Sequence, residues 1–121
     1  TQGGAIVVNA SAGAIKTGAD TRGGLLHLMR VAASEGAPQI RVNAIASGDV
    51  DAPLWSALPW LQDIVSETGS ERAALEKLAA LPTRFARYAK AGDIKHLIVT
   101  LLSDESPITG ATLVVDGGYT L

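Results

Sequence analysis

Lys16, Asp20, Arg22, Asp49 and Asp51 are the charges with the best chance of doing chemistry together. They follow two apolar runs that read as strands, so all five would gather around strand C-terminal ends, where open α/β sheets bind ligands. A carboxylate of this group desolvated beside Trp55 would have its pKa raised toward neutrality and could act as an acid or base. Such a site would serve non-redox chemistry of the lyase, isomerase or cyclase kind; the plain alternative is a set of solvated loop charges. Gly13-Ala14-Ile15-Lys16-Thr17 ends like a phosphate-binding loop, but that loop requires glycine before its lysine and here Ile15 stands there. His27 and His96 lie far apart and the chain has no cysteine, so no metal site is expected and disulfides are excluded. Trp55 and Trp60 flank Pro59 and are either a lid over a substrate or large apolar groups that close a core.

The elements that must position these groups alternate between strand and helix. Ala5 to Asn9 is a short apolar run of the kind that suits a strand buried on both faces. A helix is expected from Ala19 to Glu35, with Leu25, Leu28, Met29 and Ala32 at helical spacing, Asp20 in the first turn and Gly36 and Pro38 as a stop. Gly23 and Gly24 inside it each cost roughly 1 kcal/mol relative to alanine and predict close approach of another backbone or helix. Ile40 to Ala46 is the next strand. The segment from Pro53 to Pro82 predicts two helices, one with the apolar face Trp55, Leu58, Leu61, Ile64 and Val65, the other with Ala74, Leu75, Leu78 and Ala79, hinged at Gly69-Ser70. Asp93 then caps a helix whose buried stripe is Ile94, Leu97, Ile98 and Leu101, and Leu113 to Val115 is the last strand. This alternation predicts an α/β fold with a parallel sheet and covering helices.

Composition narrows the function classes. At 121 residues with 47% hydrophobic content the chain suits one domain with its own core. A net charge of −2 gives no footprint for nucleic acid. No apolar run is long enough to span a membrane and the first residues lack a leader pattern, so no membrane association is expected and the cytoplasm is the default compartment.

Several motifs in series carry a resemblance. They are Gly3-Gly4-Ala5-Ile6-Val7-Val8-Asn9-Ala10-Ser11, Ile40-Arg41-Val42-Asn43-Ala44-Ile45-Ala46, Pro82-Thr83-Arg84-Phe85, Ala91-Gly92-Asp93-Ile94, Leu101-Leu102-Ser103-Asp104-Glu105, Ile108-Thr109-Gly110 and Val115-Asp116-Gly117-Gly118. In this order the chain resembles the C-terminal half of a short-chain dehydrogenase/reductase. The resemblance implies that residues 1–121 form a single, partial domain, the C-terminal part of a doubly wound, Rossmann-like parallel sheet. The parent reaction is hydride transfer between NAD or NADP and a carbonyl or alcohol, expected to be incomplete or inactive in this chain alone; the alternatives are the non-redox enzyme above and a structural or oligomerisation subunit paired with another chain. Neither glycine-rich dinucleotide pattern, Gly-x-x-x-Gly-x-Gly nor Gly-x-Gly-x-x-Gly, occurs, so the dinucleotide-binding half is expected to be absent.

The family's catalytic residues carry over unevenly. Ser11 occupies the position of the serine that holds the substrate carbonyl, although a serine there could also simply cap a turn. Aligning Leu28-Met29-Arg30-Val31-Ala32 with the family's helix places Arg22 at the catalytic lysine and Gly18 at the catalytic tyrosine, so the Tyr-x-x-x-Lys motif is degenerate. Counting forward from Ser11 instead places the tyrosine near Gly24, and the difference implies a shortened loop. Arg22 keeps a positive charge but cannot deprotonate. The resemblance assigns the nicotinamide loop to Ser47, Gly48, Val50 and Ala52, with Ser47 in place of a proline and Ala52 in place of a threonine. The glycine usual after Arg-Phe is Ala86. In the family the Trp55–Trp60 segment is the substrate cover. The family also implies a homo-oligomer built on the Ala19 to Glu35 helix, the following helix and the last strand. Alternatively, the partner is a second chain that supplies the missing half and covers the open edge of the first strand.

Overall fold

The computed structural model of the chain describes residues 3–16 and 22–121. Three parallel strands form the main sheet in the order β1 (Gly4–Ser11), β2 (Ile40–Ser47), β5 (Thr112–Val115). Residues Gly4 to Ser11 run in register with Ile40 to Ser47, and Ala44 to Ser47 with Thr112 to Val115. Side chains alternate across the central strand, so each helix layer meets its own set. Val42 and Ala44 pack with Val8 beneath Met29 and Ala33 of α1 (Gly23–Gly36). Ile45 packs with Val7 and Leu113 on the other face, beneath Ile94 and Leu101 of α4 (Ala91–Leu102). The sheet is therefore covered on both faces, and the α/β expectation is met.

The connections are held by side chains of β2. Asn43 is fully buried; its Nδ2 donates to the Ile108 carbonyl (2.8 Å) and its Oδ1 accepts from Ala111 N (3.0 Å). Thr109 Oγ1 accepts from Val42 N at 3.1 Å. The Arg41 guanidinium donates to the Leu101 and Ser103 carbonyls, both at 2.8 Å, at the C-terminal end of α4, where orphan carbonyls and the helix dipole favour a cation.

Between β2 and α4 the chain builds a satellite core. A short pair of parallel segments, β3 (Val50–Asp51) and β4 (Ala89–Lys90), clamps its two ends. Inside that clamp lie α2 (Pro59–Thr68) and α3 (Glu71–Ala79), whose apolar faces meet at Leu61, Ala74 and Leu75. Gly69 closes α2 in the left-handed conformation (φ 84°), and the Ser70 hydroxyl caps α3 by accepting from Ala73 N at 3.1 Å. The expected hinge is thus a glycine stop followed directly by a serine start.

Three local expectations need correction. The described part of α1 starts at Gly23, after Arg22, and residues 19–21 lie outside the described residues; the helix runs through Gly36, and extended Ala37 before Pro38 ends it without a left-handed glycine. Gly23 does face a close approach, since a Cβ there would stand 3.3 Å from the Ala14 carbonyl oxygen, but a Cβ on Gly24 would meet no atom of the described residues within 4 Å. Asp93 is the third residue of α4, not its N-cap: Lys90 is the cap residue, and the Asp93 carboxylate reaches back to accept from Lys90 N at 2.9 Å.

Candidate active site

The parallel register sets Ser11 directly opposite Ser47 at the C-terminal ends of β1 and β2. Beyond them opens a cleft of about 710 Å³. Ser11, Lys16, Arg22, Ser47, Gly48, Asp49, Thr83, Tyr88, Asp116 and Tyr119 line it. Ligand sites of open α/β sheets lie at this end of the strands.

The walls of this cleft are built from backbone contacts. Ser11 caps the short 3-10 turn Ala12–Ala14, its Oγ accepting from Gly13 N at 3.2 Å, so its hydroxyl proton stays available for a ligand. Ser11 thus caps the turn and also lines the cleft. Gly48 N donates to the Val115 carbonyl at 3.0 Å, and a Cβ on Gly48 would sit 3.0 Å from Asp116 Cα and Cβ, so this loop approaches β5 too closely for a larger residue. Buried Thr83 is fixed by its hydroxyl to the Ala79 carbonyl (2.7 Å), and the Arg84 and Phe85 amides both donate to the Gly117 carbonyl. Asp116 organises the last turn by accepting from Gly118 N (2.8 Å), Thr120 N (2.9 Å) and Thr120 Oγ1 (2.7 Å). Burial alone would raise the Asp116 carboxyl, but these hydrogen bonds from Thr120 and Gly118, with a further one from Tyr119, bring it below its ordinary value.

The structure gathers some of the sequence-predicted residues and separates others. Ser11, Arg22, Ser47 and Gly48 share the cleft; Val50 and Ala52 leave it as the chain turns into β3 and the following loop. Gly18, expected at the tyrosine position, and Asp20 lie outside the described residues. Trp55 and Trp60 do not line the cleft: Trp55 is partly buried in the satellite core, meets Trp60 edge to face (centroids 5.9 Å apart), and donates from Nε1 to the Val50 carbonyl at 2.6 Å. Asp49 and Asp51 are exposed, so neither provides the desolvated carboxylate that non-redox acid–base chemistry beside Trp55 would require. Among the described residues no three His, Asp or Glu side chains cluster as metal ligands, and no helix is long and apolar enough to cross a membrane.

Two cleft residues were not foreseen. Tyr119 receives the Lys16 ammonium 4.0 Å above its ring centre, a cation–π contact that joins the turn after β1 to the C-terminal turn. Tyr88 is stacked on Trp55, with ring centres 5.5 Å apart and planes within 8°. Burial, and then the nearby Asp49 carboxylate, push the Tyr88 phenol above its ordinary value. No local motif announces either contact, because each joins segments distant in sequence.

Comparison with known proteins agrees with this architecture. The profile of the Enoyl-(Acyl carrier protein) reductase family matches residues 1–120. The short-chain dehydrogenase/reductase aba4 of Botryotinia fuckeliana is 33% identical over 93% of this chain and 45% of its own length. Cyclopentanol dehydrogenase of Comamonas testosteroni is 37% identical over 67% of the chain and 28% of its own length. The crystal structure of L-sorbose reductase from Gluconobacter frateurii, complexed with NADPH and L-sorbose, superposes with a TM-score of 0.79 at 26% identity, over 98% of this chain and 48% of that one. The chain thus spans less than half the length of the curated relatives it matches. A profile match over nearly every residue, together with the shared parallel sheet, makes this chain a member of the short-chain dehydrogenase/reductase family.

Proposed function

We propose that the chain is the substrate-facing half of an NAD(P)-dependent oxidoreductase that interconverts a carbonyl and an alcohol. The observation that carries this reading is the cleft at the strand ends, where Ser11 and Ser47 stand side by side. The donor set suits the nicotinamide end of a dinucleotide: two hydroxyls at the strand ends, a glycine loop at Gly48, and the cationic Lys16 and Arg22 lining the same cleft for an anionic or ribose portion. When bound, the nicotinamide supplies or accepts the hydride. Ser11 would hold the substrate oxygen, while Arg22, at the family's lysine position, keeps the charge of that lysine but cannot exchange its proton. Glycine at position 18 leaves the family's tyrosine position without a proton to give.

No glycine-rich pyrophosphate cradle occurs in the sequence, so that part of the dinucleotide would be held by residues from outside this chain. Among the described strands β1 pairs only with β2, and Ile6 is half exposed, which favours a partner segment or chain that extends the sheet there. Homo-oligomerisation and residence in the cytoplasm complete the reading. Cyclopentanol dehydrogenase among the relatives makes a cyclic ketone with NADH or NADPH a sensible first substrate.

The test is titration of the folded protein with NADH and NADPH, followed by quenching of Trp55 and Trp60 and by energy transfer to the reduced ring. Without that outside contribution, binding is expected to be saturable but weaker than micromolar and turnover incomplete; where ketone turnover is measurable, Ser11→Ala should lower it by about 10²-fold or more while binding persists. A folded protein with no saturable binding refutes the reading for this chain.

A further inference from the structure

We propose that Lys16 is the recognition point for an anionic group on the substrate, so that the molecule taken into the cleft carries a carboxylate as well as a carbonyl or alcohol. The carbonyl part of that statement rests on the oxidoreductase reading; the anion site does not.

The Lys16 ammonium stands 4.0 Å above the centre of the Tyr119 ring, and among the described residues it forms no ion pair. A ring face attracts an ammonium and fixes its place without neutralising its charge, and the ammonium has three N–H donors, which one ring does not use up. The ring in turn is held from both sides. The Asp116 carboxylate accepts from Gly118 N at 2.8 Å and from Thr120 N and Oγ1 at 2.9 and 2.7 Å, the two residues that flank Tyr119. Tyr119 N itself donates to the Asp116 carbonyl at 3.2 Å. Lys16 is therefore a charge seated on a braced platform, and a group fixed in advance loses little freedom when its ligand arrives.

The other charges of the cleft leave that task to Lys16. Asp116 spends both carboxylate oxygens on its own turn, and Asp49 is exposed to water, which screens it. The anionic part of a dinucleotide is its pyrophosphate, for which the sequence holds no glycine-rich cradle, so the anion that suits a cation in this half is one on the substrate. Ser11 and Lys16 also belong to a single tight turn. Ser11 caps it, and Lys16 N donates to the Ala12 carbonyl at 3.3 Å. At roughly 2 Å per residue their Cα atoms stand about 10 Å apart or less, and both side chains line the cleft, so a compact molecule has the size to meet both. One ammonium, with Asp49 on the same cleft, suits a monovalent carboxylate better than a phosphate dianion.

The experiment compares 3-oxocyclopentanecarboxylate with its carboxamide, which has the same ring and ketone and nearly the same size but no charge. Isothermal titration measures both ligands against the protein, Lys16→Met, Tyr119→Phe and Tyr119→Leu, first alone and then with NADP added; circular dichroism confirms that each variant folds, and NADPH binding is titrated separately. The parent protein is expected to bind the acid about 10-fold more tightly than the amide. Lys16→Met should bring that ratio close to one, Tyr119→Phe should retain it because the ring remains, and Tyr119→Leu should lower it about three-fold. Added salt should weaken the preference, as screening requires. Equal binding of acid and amide by the folded parent protein, or no saturable binding of either, overturns the proposal. A preference that survives Lys16→Met overturns it as well and moves the anion to Arg22. Preference for the acid without saturable NADPH binding refutes the oxidoreductase reading and leaves Lys16 as an anion site. Saturable NADPH binding with no difference between acid and amide refutes the role of Lys16 and spares the reading.

Discussion

Replacing Ala86 by glycine should make this protein more stable. Ala86 is the one non-glycine residue among those described with a left-handed backbone, at φ 51°. A Cβ in that region clashes with the following carbonyl and costs roughly 1–2 kcal/mol. Glycine removes the clash but gains freedom in the unfolded chain, which takes back about 0.5–1 kcal/mol. Ala86 is exposed, so its methyl group contributes little burial. The net expectation is a gain of about 0.5–1 kcal/mol, or about 3 °C in Tm for a chain of this size. Gly118→Ala is the opposing control. Position 118 has φ 85°, and a Cβ there would lie 2.7 Å from Arg84 Cβ and Cγ, so backbone strain and overpacking together predict a loss of about 2–4 kcal/mol. Urea unfolding followed by tryptophan fluorescence reads both variants through the midpoint at constant slope. An Ala86→Gly variant no more stable than its parent would refute the reasoning, because it would mean that the turn after Phe85 carries no left-handed strain.

Three further outcomes follow from contacts already described. Asn43→Leu should lower stability by about 2–4 kcal/mol in the same urea assay, since it leaves the Ile108 carbonyl and the Ala111 amide without their buried partner; a loss below half of that would show that water takes over both bonds. Asp116 has a folded pKa below its ordinary 3.8, so its contribution is present above that value and is lost as pH falls through the lower folded pKa. Asp116→Asn should therefore flatten the acid limb of the stability–pH curve, and superimposable limbs for the two proteins would sink the argument. Ile6→Lys on the edge of β1 that no described strand pairs should reduce self-association in light scattering without moving the unfolding midpoint, whereas unchanged association would place the sticky surface elsewhere.

Much of the main sheet was legible because its signals are local. The apolar runs at Ala5 to Asn9 and Ile40 to Ala46, and the stripe Ile94, Leu97, Ile98, Leu101, each carry their period in a few consecutive residues, and all three fall within the observed β1, β2 and α4. Each observed strand runs slightly beyond its apolar core, to Ser11 and Ser47, because pairing continues as long as a neighbour is in register. The β3–β4 pair was invisible, since two residues carry no period and their partners lie far apart in sequence. The site was legible only in part for the same reason. Ser11, Ser47, Gly48 and Arg22 belong to strand ends and a helix start and could be placed by motif. Tyr88 reached the cleft through its stacking on Trp55, a contact set by the folding of α2 and α3 between them. Of the tryptophans, read as either lid or core, Trp55 packs with the satellite core and stacks on the cleft residue Tyr88, while Trp60 is exposed and meets Trp55 edge to face.

The role of β2 has a consequence for how the chain assembles during synthesis. Arg41, Val42 and Asn43 all wait for partners 60 or more positions later, in the stretch from Leu101 to Ala111. The β1, α1 and β2 segments can come together as soon as they leave the ribosome, because their pairing spans a short crossover. Until the last residues arrive, however, one face of β2 lacks α4 and one edge lacks β5, leaving Ile45 uncovered and Asn43 exposed to water. Late arrival of the strand that completes the pairing makes this a slow-closing topology. The buried amide of Asn43 is then well suited to the wait: solvated while the face is open, it penalises any apolar segment that docks there without offering the two backbone groups that α4 and β5 bring between them.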